Sequence, residues 1–182
     1  MSYGGNLGPA VTLSTNGVSY GVADGTVASI QPSGDVTGVA DTAALIAAHA
    51  NLPVYGGQIT LGAGQFYLVP NQVIFTKPVK LVGQGSNDAY PWYGSPVGSG
   101  NNAITTINCN YTTGTAVTFL GNSSQCEEVH FSNSTTATSA IAILMNGSSG
   151  FKLCHNSMFG FFTQIQLPCV AGSVMEFPSS AK

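Results

Sequence analysis

The chain has 182 residues, enough for one domain with a real core. Only 6% are charged, against about a quarter in an average globular protein, and the formal net charge is -3, with four lysines and no arginine. That composition excludes a basic nucleic-acid-binding surface, and 43% hydrophobic residues exclude a disordered chain.

In place of charge the sequence uses Gly, Ser, Thr and Asn, which suit turns and strands better than exposed helices. "MSYGGNLGPA" lacks the basic start and apolar stretch of a secretory signal. The longest apolar run, "AIAILM", is far short of the roughly 20 residues that cross a bilayer, so no membrane partner is expected.

Residues 1–34 are Gly-rich and form an N-terminal arm or attachment segment, in which "AVTLSTNGVSYGV" can supply one or two edge strands. Residues 35–182 form the body. Asp41 is placed to N-cap a helix over "TAALIAAHANL". Ala44, Leu45, Ala48 and Leu52 fall on one face, and Pro53 with Gly56-Gly57 ends the helix. From Gln58 the period changes to two, with "GQITL" and "GQFYL" around the Gly62-Ala63-Gly64 turn. The short strands "QVIF", "VKLVG", "AITTINC", "AVTFL", "EEVHFS", "AIAILM", "FKLCHN" and "TQIQL" follow, separated by turn residues. "GSNDAYPWYGSPVGSGNN", residues 85–102, interrupts them with Pro, Gly, Asn and three aromatics.

A shift of 24 residues lays Val117 and Phe119 on Ile141 and Ile143, then on Ile165 and Leu167. It also lays Val129 on Leu153 and Phe177, and Asn122 on Asn146. Three short strands per repeat of this length suit one coil of a parallel β-helix, whose stacked coils bury like residues in ladders. The open end of such a stack needs a cover, and the Ala-rich helix stands where a cover is required.

The stretch "GDVTGVADTAALIAAHANLPVYGGQITLGAGQFYLV" resembles the opening of the pectate-lyase-like superfamily. Gly34-Asp35, Asp41-Thr42, Gly56-Gly57, and Gly62-Ala63-Gly64 with Phe66-Tyr67 carry the resemblance, and "SSQCEEVHFSN" is similar to one of its coils. Over residues 34–177 the resemblance implies an all-β fold, a short right-handed parallel β-helix of few coils with an N-terminal capping α-helix. It further implies a bacteriophage tailspike or tail-fibre type of protein. Such a protein is a homotrimeric structural part of the virion, docked to other tail proteins through its N-terminal arm. Host surface polysaccharide is the further partner implied, for attachment. The alternative is a polysaccharide depolymerase, hydrolase or lyase, or its N-terminal portion.

The residues themselves offer little chemistry. Lyases of this fold use acids that gather calcium and a basic residue, commonly arginine, whereas here arginine is absent and the lysines are expected apart from the acids. Glu127 and Glu128, adjacent in an expected strand, should point to opposite faces and not form a hydrolytic pair. They are expected as solvated surface acids. His130 and His155, near Cys126 and Cys154, are expected as wall or turn residues. The four cysteines match no zinc spacing; disulfides stay open, and buried thiols are favoured. No catalytic residue, metal or cofactor is expected. The nominated contact residues are Asp88, Tyr90, Trp92 and Tyr93, for another protein chain, for local packing or for a glycan.

Overall fold

The computed structural model describes residues 18–21, 27–85, 104–146 and 150–167. They form three sheets and one helix. Sheet A runs β1 (Val18–Gly21), β2 (Val27–Ile30), β3 (Gly57–Leu61), β6 (Val79–Val82), β9 (Gln125–Glu127) and β12 (Lys152–Cys154). Sheet B runs β4 (Gly64–Tyr67), β7 (Thr105–Cys109), β10 (His130–Asn133) and β13 (Ser157–Phe159). Sheet C runs β5 (Val73–Phe75), β8 (Thr113–Phe119), β11 (Ser139–Met145) and β14 (Thr163–Gln166). From β3 onward the chain visits A, then B, then C, and repeats. Every neighbouring pair is parallel except β1 with β2.

The register stacks like on like inside. Ala28, Ile59, Leu81, Cys126 and Leu153 line up in sheet A. Phe66, Ile107, Phe131 and Met158 do so in sheet B, and Val73, Val117, Ile143 and Ile165 in sheet C. A file of rings runs through this core. His49 meets Phe75 at 5.4 Å between centroids, Phe75 meets Phe119 at 5.2 Å, and Phe119 meets Phe151 at 5.0 Å, all tilted or edge-on. Ala28 and Ile30 of β2 are fully buried, so the core begins ahead of residue 35.

The expected fixed interval of 24 is corrected. Ile59 faces Leu81 at 22 residues, Ile107 faces Phe131 at 24, and Cys126 faces Leu153 at 27. Val117 faces Ile143 rather than Ile141, Phe119 faces Met145, and Leu153 lies on Cys126 rather than Val129. The Asn146 amide donates to the Phe119 carbonyl at 3.0 Å, continuing the register in which Met145 faces Phe119. Phe177 lies outside the described residues. A slip of two keeps the same face inward, so hydrophobic pattern alone cannot see it.

Helix α1 (Val39–Asn51) begins at Gly38, not at Asp41. Gly38 has φ +81° and makes no side-chain cap. The first-turn donors instead find Asp35, whose carboxylate accepts from the amides of Thr37 and Ala40 at 2.9 Å. The Thr37 hydroxyl adds a third bond, and these contacts hold the Asp35 carboxyl below its ordinary range. At the far end the chain turns at Gly56, with φ +87°, where a Cβ would overlap the Pro78 carbonyl. That explains the first residue of the glycine pair.

Ala44, Leu45, Ala48 and Leu52 are buried as expected, against the ends of sheets B and C. There β4 and β5 are edge strands, with amides that no neighbouring strand accepts. Side chains of α1 accept the last amide of β4 and amides just past the ends of both strands. Asp41 Oδ2 takes the amide of Tyr67 at 2.8 Å, and its Oδ1 takes that of Ser33 at 2.9 Å. Thr42 Oγ1 takes the amide of Val69 at 2.9 Å, and His49 Nε2 takes those of Thr76 and Lys77 at 3.1 and 3.2 Å. Lys77 returns the bond, its ammonium reaching the carbonyls of His49, Ala50 and Leu52 at the negative end of the helix.

Two measurements check this closure. Asp41→Ala removes the acceptor of the part-buried Tyr67 amide and lowers unfolding free energy by about 1 kcal/mol, read by urea titration. The second concerns pH. Burial, then the Lys77 charge, depresses the pKa of His49, and burial depresses that of His130. Both rings are therefore neutral in the fold, and their contribution is whole above the ordinary histidine pKa of about 6.5. It is lost as pH falls below that value toward the depressed ones, because the unfolded chain binds the protons first. The urea midpoint is expected to fall between pH 7.5 and 5.5, and His49→Gln, which keeps an acceptor without titrating, to flatten that fall.

Candidate functional site

The nominated residues Asp88, Tyr90, Trp92 and Tyr93 lie outside the described residues. The two ends of their segment are described, and they meet. The Thr105 amide donates to the Gly85 carbonyl at 3.2 Å, and the Gln84 amide donates to Thr105 Oγ1 at 2.8 Å. Gly83 and Gly85 in turn donate to the carbonyls of Glu127 and Glu128. The segment thus leaves and re-enters at the corner between sheets A and B.

That corner holds four of the seven Asp, Glu and Lys side chains among the described residues, so it is where fixed charge concentrates. Glu127 projects from the outer face of sheet A between two lysines, with Lys80 Nζ at 2.9 Å and Lys152 Nζ at 3.4 Å. The bond from Lys80 holds its carboxyl below the ordinary range. Glu128 is the next residue but not part of a strand. It takes φ +59° and turns the chain from sheet A into sheet B, splitting the expected "EEVHFS" strand in two. One coil later His155 repeats the turn at φ +50°, and its Nδ1 lies 2.8 Å from Glu128 Oε1. A left-handed conformation costs a residue with a Cβ roughly 1–2 kcal/mol, and the stacked pair partly offsets that.

Two expectations change here. The lysines are not apart from the acids, since Lys80 and Lys152 clasp Glu127. Nor is Glu127 a solvated acid, because its side chain is only 17% exposed and doubly paired. Glu127 and Glu128 are each engaged by basic side chains of their own. His155 is a turn residue and His130 a wall residue. His130 Nδ1 lies 2.6 Å from Ser157 Oγ, while its buried Nε2 has no partner among the described residues.

A cleft of about 220 Å³ opens at the corner between sheets B and C, lined in part by Thr37, Tyr67, Pro70, Asn108, Asn110 and Tyr111. Its lining is uncharged. Tyr67 donates to Gln65 Oε1 at 2.9 Å, Asn108 donates to the same oxygen at 3.3 Å, and Ser134 donates to Asn110 Oδ1 at 2.6 Å. The Tyr111 hydroxyl is buried beside the Cys109 thiol, with no other hydrogen-bond partner among the described residues. Burial, with the Cys109 thiol beside it, raises its pKa. Such a lining suits a neutral ligand that hydrogen-bonds.

Cys109, Cys126 and Cys154 are free, and the first two are fully buried. Burial pushes the Cys109 thiol up to about 12 and Cys126 further, so both serve as small apolar side chains. Cys169 lies outside the described residues. Among the described residues no three His, Cys, Asp or Glu side chains gather as a metal site. No helix among them is long and apolar enough to cross a membrane. No protein-family model matches the chain, and no curated protein or solved structure matches it.

Sequence reasoning missed the charged corner and the accepting role of Asp41, Thr42 and His49. The corner depends on a register between residues 25 and 47 positions apart, which no local pattern carries. The helix did leave a sign: Asp41, Thr42 and His49 sit on the same side as its apolar stripe.

Glu127→Gln tests the corner. It is expected to lower the unfolding midpoint modestly, by less than about 1 kcal/mol, and the loss should shrink in 0.5 M salt as screening grows.

Proposed function

We propose that this chain is a short right-handed parallel β-helix of the pectate-lyase-like kind. Its role is structural, as a rigid homotrimeric segment of a phage-type tail spike or fibre. The observation that carries this reading is the repeated A, B, C order of parallel strands, closed at its first coil by α1. Stacked coils bury one continuous core and resist bending, which is what a stalk requires. In this reading the part of the arm ahead of β2 docks to other tail proteins, and the sides of the stack meet their copies.

The sparsity of charge outside one corner agrees with a surface that packs against copies of itself without separating ions from water. Host surface polysaccharide is the attachment partner. The uncharged cleft between Tyr67 and Tyr111 is the described place best matched to sugar hydroxyls. A depolymerase is the weaker reading, because Glu127 and Glu128 are each held by basic side chains.

Light scattering of the purified chain tests assembly: the mass should be three copies or a multiple of three, and a clean monomer or dimer at high concentration would overturn the trimer. Incubation with bacterial surface polysaccharides should release neither reducing ends nor unsaturated sugars. Release of either would install the depolymerase instead.

A further inference from the structure

Among the described residues sheet A ends at an open edge, β12. The Lys152 amide donates to the Ser124 carbonyl at 3.1 Å, and the Cys154 carbonyl accepts from the Glu128 amide at 3.0 Å, so both residues bond toward β9. Alternation along a parallel strand turns the N–H and C=O of Leu153 the other way, toward the edge. The Leu153 side chain packs on the core but is only partly buried. An edge of this kind is a template for a further strand.

The route of the chain says which strand. From β3 onward the order is A, B, C, and the last described strand, β14, belongs to C. The next strand of sheet A therefore falls among residues 168–182, which include "SVMEF" at 173–177. Passing from C to A, Leu81 comes six residues after inward Phe75, Cys126 seven after Phe119, and Leu153 eight after Met145. Leu144 faces Gln166, so Leu167 takes the place of Met145 in the last coil. The same steps from Leu167 reach Ser173, Val174 or Met175 as the residue over Leu153. Ser173 would set a hydroxyl on leucine. Val174 would turn Glu176 inward with it and bury a carboxylate. Met175 is apolar and sends Glu176 outward. It lies 22 residues past Leu153, the interval that also separates Ile59 from Leu81 and Ile143 from Ile165.

Charge gives the same register independently. Gln125 faces Lys80, and Glu127, two residues on, reaches Lys80 Nζ across the diagonal at 2.9 Å. With Met175 on Leu153, Val174 faces Lys152 and Glu176 takes that same diagonal to Lys152, whose side chain is 57% exposed. Glu176 is the one acid among residues 168–182. Pro178, which has no amide to pair, follows at once.

We propose that residues 174–177 add a parallel strand to the open edge of β12, with Met175 stacked on Leu153 and Glu176 paired with Lys152. The outer face of sheet A then alternates in sign through Lys80, Glu127, Lys152 and Glu176.

A native thiol tests the register. In a Cys169→Ser background, Glu176→Cys sets a second thiol level with Cys154, where neighbouring strands stand about 4.8 Å apart and a disulfide can close. Mild oxidation should join Cys154 to position 176 within one chain, read by peptide mapping. A link formed by Pro178→Cys and not by Glu176→Cys would overturn the register. A link from Cys154 to a second chain would put a copy on that edge and overturn the proposal, and so would no link at all. Hydrogen exchange serves if the thiol variant fails to fold. The Leu153 amide should exchange about tenfold more slowly in the full chain than in Glu176→Pro, which removes the N–H aimed at the Leu153 carbonyl. Equal rates would overturn the added strand.

Discussion

The first strand of any parallel stack has amides with nowhere to go, and this constraint governs the molecule. Burying apolar side chains under a helix would not meet it. A greasy lid over β4 and β5 would trap their outward N–H groups without acceptors, at a cost of kilocalories. Helix α1 supplies both things at once. Ala44, Leu45 and Ala48 cover the core, and Asp41, Thr42 and His49 accept the amides from within the same buried side. Lys77 then ties the helix C-terminus to the turn whose amides His49 receives. Lid and wall are one hydrogen-bonded unit.

Beyond the lid, each coil answers only to its neighbours. That is why intervals of 22, 24 and 27 residues coexist in one stack. Turn length changes the amount of chain at a corner without moving the inward side chains. The same tolerance admits a long excursion between β6 and β7, closed at its base by Thr105 and Gly85. The corners therefore carry the variation and the walls carry the stability. The charged corner follows this rule, for Glu128 and His155 occupy turn positions that the core does not specify.

How much of this could be read in the residues depended on range. The helix was legible because its apolar stripe is local. The strands were largely legible from their alternation, although β2 and β13 were not singled out and Glu128 was wrongly placed inside one. The role of Asp41 was misread for a physical reason: the residue type that caps a helix start also accepts any other amide, and composition cannot say which. The partners in sheet C were off by two because a slip of two preserves the inward face. The clasp of Glu127 by Lys80 and Lys152 was out of reach, since it exists only once three coils are in register.

The stack is sealed at one end only among the described residues. Ile59, Phe66 and Phe75 in the first coil are wholly buried, whereas Leu153, Met158 and Ile165 in the last are only partly so. Cohesion along such a column is a sum of contacts between adjacent layers, so opening has a direction. Among the described layers the last, the least buried, detaches first, while the layer under α1 opens last. The protein then behaves less like a domain with one melting event than like a column that frays from the top, with its slowest-exchanging amides gathered at the foot.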